Sequence, residues 1–213
     1  MRGLQSRRLW LDDEAEGRAC CDTMSEWQDR QSEYERAVEV LGGLGAQRLA
    51  VELVELSYLS EEARVLVDRL LVSADQEALV ALFHRRLAEI KGEGRYYKLA
   101  EEKHFFRKLD GLLNIVREVE AERAMPLLVA LYEADDCFVG QADGSGGRHT
   151  FFYDSVDALL CEKMKTGAVS AETARDSIQQ VLKEDDYGFR MNVGSKLAEA
   201  LGVTEEALRR AVI

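Results

Sequence analysis

Apolar residues recur at helical spacing along almost the whole chain, and this feature restricts the fold most strongly. The clearest stripe consists of Phe105, Leu109, Leu112, Val116 and Val119. Its members are alternately four and three residues apart, the spacing that places side chains on one face of a helix. The pattern begins at Trp27, and no alternating strand pattern exceeds four residues. With one proline, Pro126, in 213 residues, the sequence predicts long helices, and this proline is expected near a helix start.

Glycines and capping residues divide this pattern into nine or ten predicted helices. Ser60 is expected to cap one of them, and Ser73 with Gln76 has the spacing of a capping box. The longest predicted helix covers residues 96–120, whereas residues 135–149 are predicted to be one long loop. Because short loops place successive helices antiparallel, we expect an all-α fold of antiparallel helix pairs, stacked as an irregular α-solenoid or a multi-helix bundle.

The N-terminal segment differs from the rest of the chain. Residues 1–23 lack helical periodicity and mix charged with small side chains, so we expect a poorly ordered extension. Residues 24–213 are expected to form a single all-helical domain. Any subdivision of that domain is expected at the loop of residues 135–149.

The charge balance and the cysteines restrict the compartment and the partners. The net charge of −12 disfavours binding to nucleic acid or to an anionic membrane. No apolar run has the ~18 residues of a membrane-spanning helix or the roughly 7–15 of a secretory signal. The four cysteines form no C-x-x-C pair and are interpreted as thiols. We therefore expect a cytoplasmic protein without a membrane partner.

Motifs that would indicate an enzyme or a cofactor are incomplete. Glu101 and His104 have the Glu-x-x-His spacing of di-iron bundles, but no second copy accompanies them, so a surface ion pair or hydrogen bond is expected. The glycines at 140–147 lack the Lys-Ser/Thr pair of a phosphate loop and a preceding strand. No nucleophile–histidine set or metal cluster is recognisable. The sequence therefore predicts no cofactor, no metal site and no catalytic residue, and it leaves the question of an enzyme open.

Acidic residues cluster at three places that the sequence puts near helix ends. These clusters are Glu133/Asp135/Asp136, Asp154/Asp157 and Glu184/Asp185/Asp186. Carboxylates at a helix N-terminus interact favourably with the helix dipole. We interpret the clusters as solvated helix caps.

One segment runs against the overall charge. Residues 84–108 hold eight basic and four acidic side chains, a net charge of +4. Because the whole chain has a net charge of −12, the remaining residues have a net charge of −16. Aromatic residues alternate with the basic ones, a combination that can receive an anionic partner. The alternative is that the aromatic residues are core and the cations offset acidic neighbours. The partner-binding candidates are Arg85, Arg86, Arg95, Tyr96, Tyr97, Lys98, Arg107 and Lys108.

The glycine-rich loop is the second candidate surface. Its polar residues are Asp143, Ser145, Arg148 and His149. A flexible connection between helices explains the glycines, since they allow positive φ. Contact of the loop with a ligand or partner is the other interpretation.

Several stretches, taken in order, resemble a bacterial all-helical family of unknown function. They are residues 44–53, the basic segment, Asp143-Gly144-Ser145-Gly146-Gly147, Asp185-Asp186-Tyr187-Gly188 and residues 197–202. The family is also similar to helical regions that accompany SWIM-type zinc fingers, but the zinc-ligand motif C-x-C…C-x-H is absent here. The family pattern at the loop reads Asp-Asp-Ser-Ser-Gly, and residues 142–146 match it in part. The resemblance implies an all-helical, solenoid-like fold and no reaction.

Three functional hypotheses follow from these observations. The first is a non-catalytic interaction module that binds a protein partner through a helical surface. The second is a nucleic-acid or anionic-ligand binder that uses residues 84–108, which would show steep salt dependence. The third is an uncharacterised enzyme.

Overall fold

The computed structural model describes residues 24–143, 147–182 and 187–212 of the chain. The predicted extension, residues 1–23, lies outside the described residues. So do Ser145 and the acidic cluster at residues 184–186.

Within these ranges the chain is all-helical, which confirms the predicted fold class. The helices are α1 (Met24–Gly42), α2 (Ala46–Ser57), α3 (Glu61–Val72), α4 (Gln76–Gly92), α5 (Glu102–Glu118), α6 (Ala121–Tyr132), α7 (Asp135–Gln141), α8 (Arg148–Lys165), α9 (Ala171–Val181), α10 (Val193–Leu201) and α11 (Glu205–Val212). The described residues contain no strand and one isolated bridge, between Tyr97 and Ala142. No described helix is long and apolar enough to cross a membrane.

The chain divides into two compact units, residues 1–52 and residues 53–213. In the first unit the described part contains α1 and the beginning of α2. The turn between them uses Gly45, whose φ of +82° favours glycine. The second unit contains the helices from α3 onward, and residues 135–149 lie inside it.

Helix α5 is central to the second unit. It packs against α3, α4, α6 and α8. The predicted apolar stripe from Phe105 to Val119 is at most 1% exposed at each of its five positions, which confirms the face that the sequence predicts. Burial of one large apolar side chain stabilises a fold by about 1.5–3 kcal/mol, so this one stripe contributes heavily to the core.

Two predicted caps have different outcomes. Ser60 caps α3 as predicted, since its hydroxyl accepts a hydrogen bond from the Ala63 N–H at 3.3 Å. The capping box is wrong, because Asp75 caps α4 and accepts from Glu77 N–H at 2.9 Å. Gln76 instead donates to the Glu118 carbonyl and accepts from the Glu120 N–H, at 3.2 and 2.7 Å. Its amide therefore ties the start of α4 to the turn between α5 and α6.

Two predicted boundaries are wrong for the same tertiary reason. Helix α5 begins at Glu102 and not at residue 96, and the predicted loop contains α7. The Tyr97 N–H donates to the Gln141 carbonyl at 2.7 Å, and the Tyr97 carbonyl accepts from the Asp143 N–H at 3.1 Å. These bonds take the backbone of Tyr97 out of any helix. They also place the C-terminal end of α7 against the connector of residues 93–101.

In two of the three acidic clusters one member is buried and is not a solvated cap. Asp157 is 1% exposed and lies in the interior of α8, where it accepts hydrogen bonds from Lys196 at 2.7 Å and from the Tyr132 hydroxyl. Asp135 is also buried and pairs with Arg190 at 2.6 Å. These carboxylates join helices that are distant in sequence, which no local pattern indicates.

The proline also departs from its expected place. Pro126 lies inside α6, beyond its first turn. A proline there removes one backbone hydrogen bond of the helix.

A buried lysine closes the C-terminal end of α5. The Lys163 ammonium, on α8, donates to the carbonyls of Arg117 and Val119 at 3.0 and 2.6 Å. The last carbonyls of a helix have no intrahelical donor and carry the negative end of its dipole. Burial lowers the pKa of Lys163, and the neighbouring Glu162 opposes that shift.

We expect Lys163→Met to lower the free energy of unfolding by about 1–3 kcal/mol, because the buried Val119 carbonyl and the partly buried Arg117 carbonyl lose a charged donor. Lys165→Met is the matched control, since Lys165 is exposed at the end of the same helix. Chemical denaturation of the full chain measures both. Equal stability of the two variants would contradict a capping role for Lys163.

Candidate functional site

A groove opens between α3, α4 and α5. Its volume is about 1160 Å³, and the connector residues Arg95 and Tyr97 complete its wall. The apolar side chains that line it are Val65, Leu66, Ile90, Leu112 and Ile115. Drug-sized ligand pockets have roughly 300–1,000 Å³, so this groove has room for several side chains of a binding partner.

Glycine at position 111 lets α3 approach α5 beside this groove. A Cβ at Gly111 would lie 3.4 Å from Val65 Cγ1. This distance is already van der Waals contact, so a longer side chain would push the two helices apart. The residue before it, Asp110, therefore lies where the two helices are close.

Arg86 is buried beside the groove and binds carboxylates of two helices. Its guanidinium lies 2.6 Å from Asp68, 2.8 Å from Glu89 and 3.5 Å from Glu61. Its side chain is 8% exposed. The neighbouring Arg85 is 59% exposed and lies 3.5 Å from Asp68, so two consecutive arginines have very different surroundings.

Lys108, Glu93 and Tyr97 form a second polar cluster. The Lys108 ammonium donates to both Glu93 oxygens at 2.7 and 2.8 Å, and the Tyr97 hydroxyl donates to Glu93 at 2.7 Å. Burial opposes ionisation of Glu93, but the hydrogen bonds from Lys108 and Tyr97 outweigh it and lower the pKa. The Arg95 guanidinium lies 4.6 Å from the centre of the Tyr97 ring.

The structure thus places most predicted cations in ion pairs. Arg95 lies 3.1 Å from Glu101, and Arg107 lies 3.7 Å from Glu62. Of the remaining candidates in the basic segment, Tyr96 and Lys98 are exposed, whereas Tyr97 is 2% exposed. Most of the positive charge of the basic segment is consequently neutralised by carboxylates of the same chain.

The second candidate surface meets the first. The Arg148 guanidinium lies 2.5 Å from Glu102, and the Asp143 N–H donates to Tyr97. His149 is buried between the rings of Phe106 and Phe189, with centroids 5.0 and 5.9 Å away. Ser145 lies outside the described residues.

The surroundings of His149 keep its ring neutral. Burial lowers its pKa, and the contact between Nε2 and the Ala142 carbonyl at 3.4 Å opposes this. His149 is therefore part of the aromatic core, where it contacts Phe106 of α5.

The side chains of Glu101 and His104 have different partners. Glu101 pairs with Arg95, and His104 Nδ1 lies 4.0 Å from Glu62. Among the residues that the structure describes, no three His, Cys, Asp or Glu side chains converge in a way that would hold a metal ion.

Asp110 is the functional candidate that the sequence did not indicate. It lines the groove, and within the described residues neither of its oxygens accepts a hydrogen bond or an ion pair. Burial raises its pKa to about 7, against a smaller opposing effect of Arg117. The helical pattern of the sequence does not show that α3 covers this turn of α5. The only local sequence feature that indicates a close helix contact here is the adjacent Gly111.

Comparison with known proteins found no match among family models, curated proteins or solved structures.

We expect Arg86→Ala to lower the free energy of unfolding by about 1–3 kcal/mol, because its half-exposed carboxylate partners would lose their buried cation. The matched control is Arg85→Ala, for which a change below about 0.5 kcal/mol is expected. Urea denaturation at low and high salt measures both variants. Similar losses for the two arginines would contradict the different burial.

The raised pKa of Asp110 makes stability depend on pH. Between the usual carboxyl pKa of 3.8 and about 7, the folded chain holds a proton that the unfolded chain has released. The contribution of Asp110 to stability is therefore greatest below the lower value and is lost as the pH rises to the upper one.

We expect Asp110→Asn to remove this fall, so its stability relative to the natural protein rises by up to about 4 kcal/mol between pH 4 and pH 8. Asp176→Asn is the control, because Asp176 is exposed on α9. Denaturation across that pH range measures the difference. Parallel profiles of the Asp110→Asn variant and the natural protein would contradict the raised pKa.

Proposed function

We propose that this chain is a non-catalytic interaction module, which binds a segment of a partner protein in the groove between α3, α4 and α5. The observation that carries this proposal is the open groove itself, about 1160 Å³ in volume and lined by apolar side chains among charged ones. A partner segment would bury apolar side chains there, and burial of apolar area is the main driving force of protein association. Charged residues around the groove would supply its polar rim.

The pairing of the cations favours a protein partner over a nucleic acid. Phosphate binding draws its affinity from cations that release counterions. Arg86, Arg95 and Lys108 already lie within 3.1 Å of carboxylates, so each would have to give up an internal partner. The anionic-ligand alternative retains the exposed Tyr96 and Lys98 as its support.

A reducing compartment remains part of the proposal. Cys137 and Cys161 are free thiols, as is usual for proteins of the cytoplasm. The resemblance to a bacterial helical family remains a proposal as well.

A peptide library tests the groove directly. Random 16-residue peptides displayed on phage would be selected on the full chain, and the affinity of selected peptides measured by fluorescence anisotropy. Ala88 is exposed and lines the groove, so Ala88→Trp would fill part of it without disturbing the core. We expect a loss of at least about tenfold in affinity, equivalent to 1.4 kcal/mol.

Ala81→Trp is the matched control, because Ala81 is also exposed on α4 but lies outside the groove lining. We expect the selected peptides to bind this variant as they bind the natural protein. Peptides that bind both tryptophan variants equally, or a library that yields no binder, would overturn the groove as a protein-binding site. Tight, strongly salt-dependent binding of a single-stranded oligonucleotide would favour the anionic alternative instead.

A further inference from the structure

We propose that Asp110 is the anchor of this groove and that the partner segment places a lysine or arginine side chain against its carboxylate. This inference rests on the proposed function and names the chemistry of the partner. It starts from the five carboxylates that line the groove, which are Glu61, Glu62, Glu89, Glu93 and Asp110.

Four of these five carboxylates already have cationic partners. Glu61 lies 2.6 Å from Arg64, and Glu62 lies 3.7 Å from Arg107. Glu89 and Glu93 lie 2.8 and 2.7 Å from Arg86 and Lys108. Asp110 alone among the five has no hydrogen bond or ion pair in the described part of the chain, so it is the group that an incoming cation would complement.

None of the described cations that line the groove pairs with Asp110. They are Arg69, Arg86, Arg95, Arg107 and Lys108. Each lies within 4.0 Å of a carboxylate of this chain, with Arg69 on Glu118 at 3.3 Å. Because these charges are compensated internally, they neither satisfy Asp110 nor strongly repel a cationic ligand. Arg117, which also lies on α5 and lowers the pKa of Asp110 slightly, donates to Asn114 at 2.7 Å.

Desolvation gives the anchor its selectivity. A mostly buried carboxylate is costly to ionise without a partner, and burial raises the pKa of Asp110 to about 7. A bound lysine or arginine would form a charge-assisted hydrogen bond with the ionised form. Binding would therefore lower the pKa of Asp110 and strengthen as the pH rises through 7.

The other charged groups around the groove must be separated from this effect. Helix α3 carries Glu61, Glu62 and Arg69, and α4 carries Arg86 and Glu89. The connector carries Glu93 and Arg95, and α5 carries His104, Arg107, Lys108 and Arg117. Histidine changes charge most readily near neutral pH. His104→Gln is therefore the control for the pH dependence, and it should leave that dependence unchanged.

Butylguanidinium is a defined probe for this anchor, because it reproduces the end of an arginine side chain. Its uncharged counterpart, butylurea, has a similar shape. Carbon-13 NMR of the full chain, labelled at aspartate carboxyls, would follow Asp110 through a pH titration with each compound. We expect butylguanidinium to lower the pKa of Asp110 and to bind about tenfold more tightly at pH 8 than at pH 6, whereas butylurea should do neither.

Asp110→Asn should weaken butylguanidinium binding, and binding of the selected peptides, by at least about tenfold. Asp110→Glu keeps the charge and is expected to retain part of the affinity, which separates the charge from the shape of the site. An unchanged pKa with butylguanidinium, or equal peptide affinity for Asp110→Asn and the natural protein, would overturn the anchor. Peptides that remain sensitive to Ala88→Trp in that case would leave the groove function standing, so the two failures are distinguishable.

Discussion

The burial of helix α5 is the constraint on which the second unit depends. Its apolar stripe packs against α4, α6 and α8, and the close approach at Gly111 brings α3 onto the same helix. Lys163 closes its C-terminal end from α8. Several polar residues of α5, among them Lys108 and Asp110, lie at the groove. Helix α5 therefore contributes to both the core and the candidate site, and Leu112 belongs to both.

Ion pairing within the fold removes most of the attraction that the basic segment would have for anions. Residues 84–108 have a net charge of +4 in a chain of −12, which by itself indicates an attractive surface for anions. In the fold, Arg86, Lys108 and their neighbours are matched with carboxylates of α3, α4 and the connector. A carboxylate that lacks such a match then becomes the uncompensated group of the groove. At this carboxylate the expected partner is consequently cationic, whereas the sequence alone indicates an anionic partner.

The two candidate surfaces also prove to be neighbours. Tyr97 pairs through its backbone with Gln141 and Asp143, and Arg148 binds Glu102. His149 packs on Phe106. These contacts use the loop residues to hold the connector and α5 in place. The described part of the loop therefore supports the wall of the groove.

The sequence by itself determined the helical class, the buried face of α5 and the Ser60 cap, because all three follow from local spacing and local hydrogen bonds. Only the tertiary structure decided that Arg86 is buried while Arg85 is exposed, that Tyr97 leaves the helix, and that Asp110 lies unpaired in a groove. These properties depend on groups from other helices, such as the Asp68 carboxylate for Arg86, 18 residues away, and the backbone carbonyl of Gln141 for Tyr97. Helical periodicity predicts which face of a helix is covered, but it carries no information about which charges the covering helix brings.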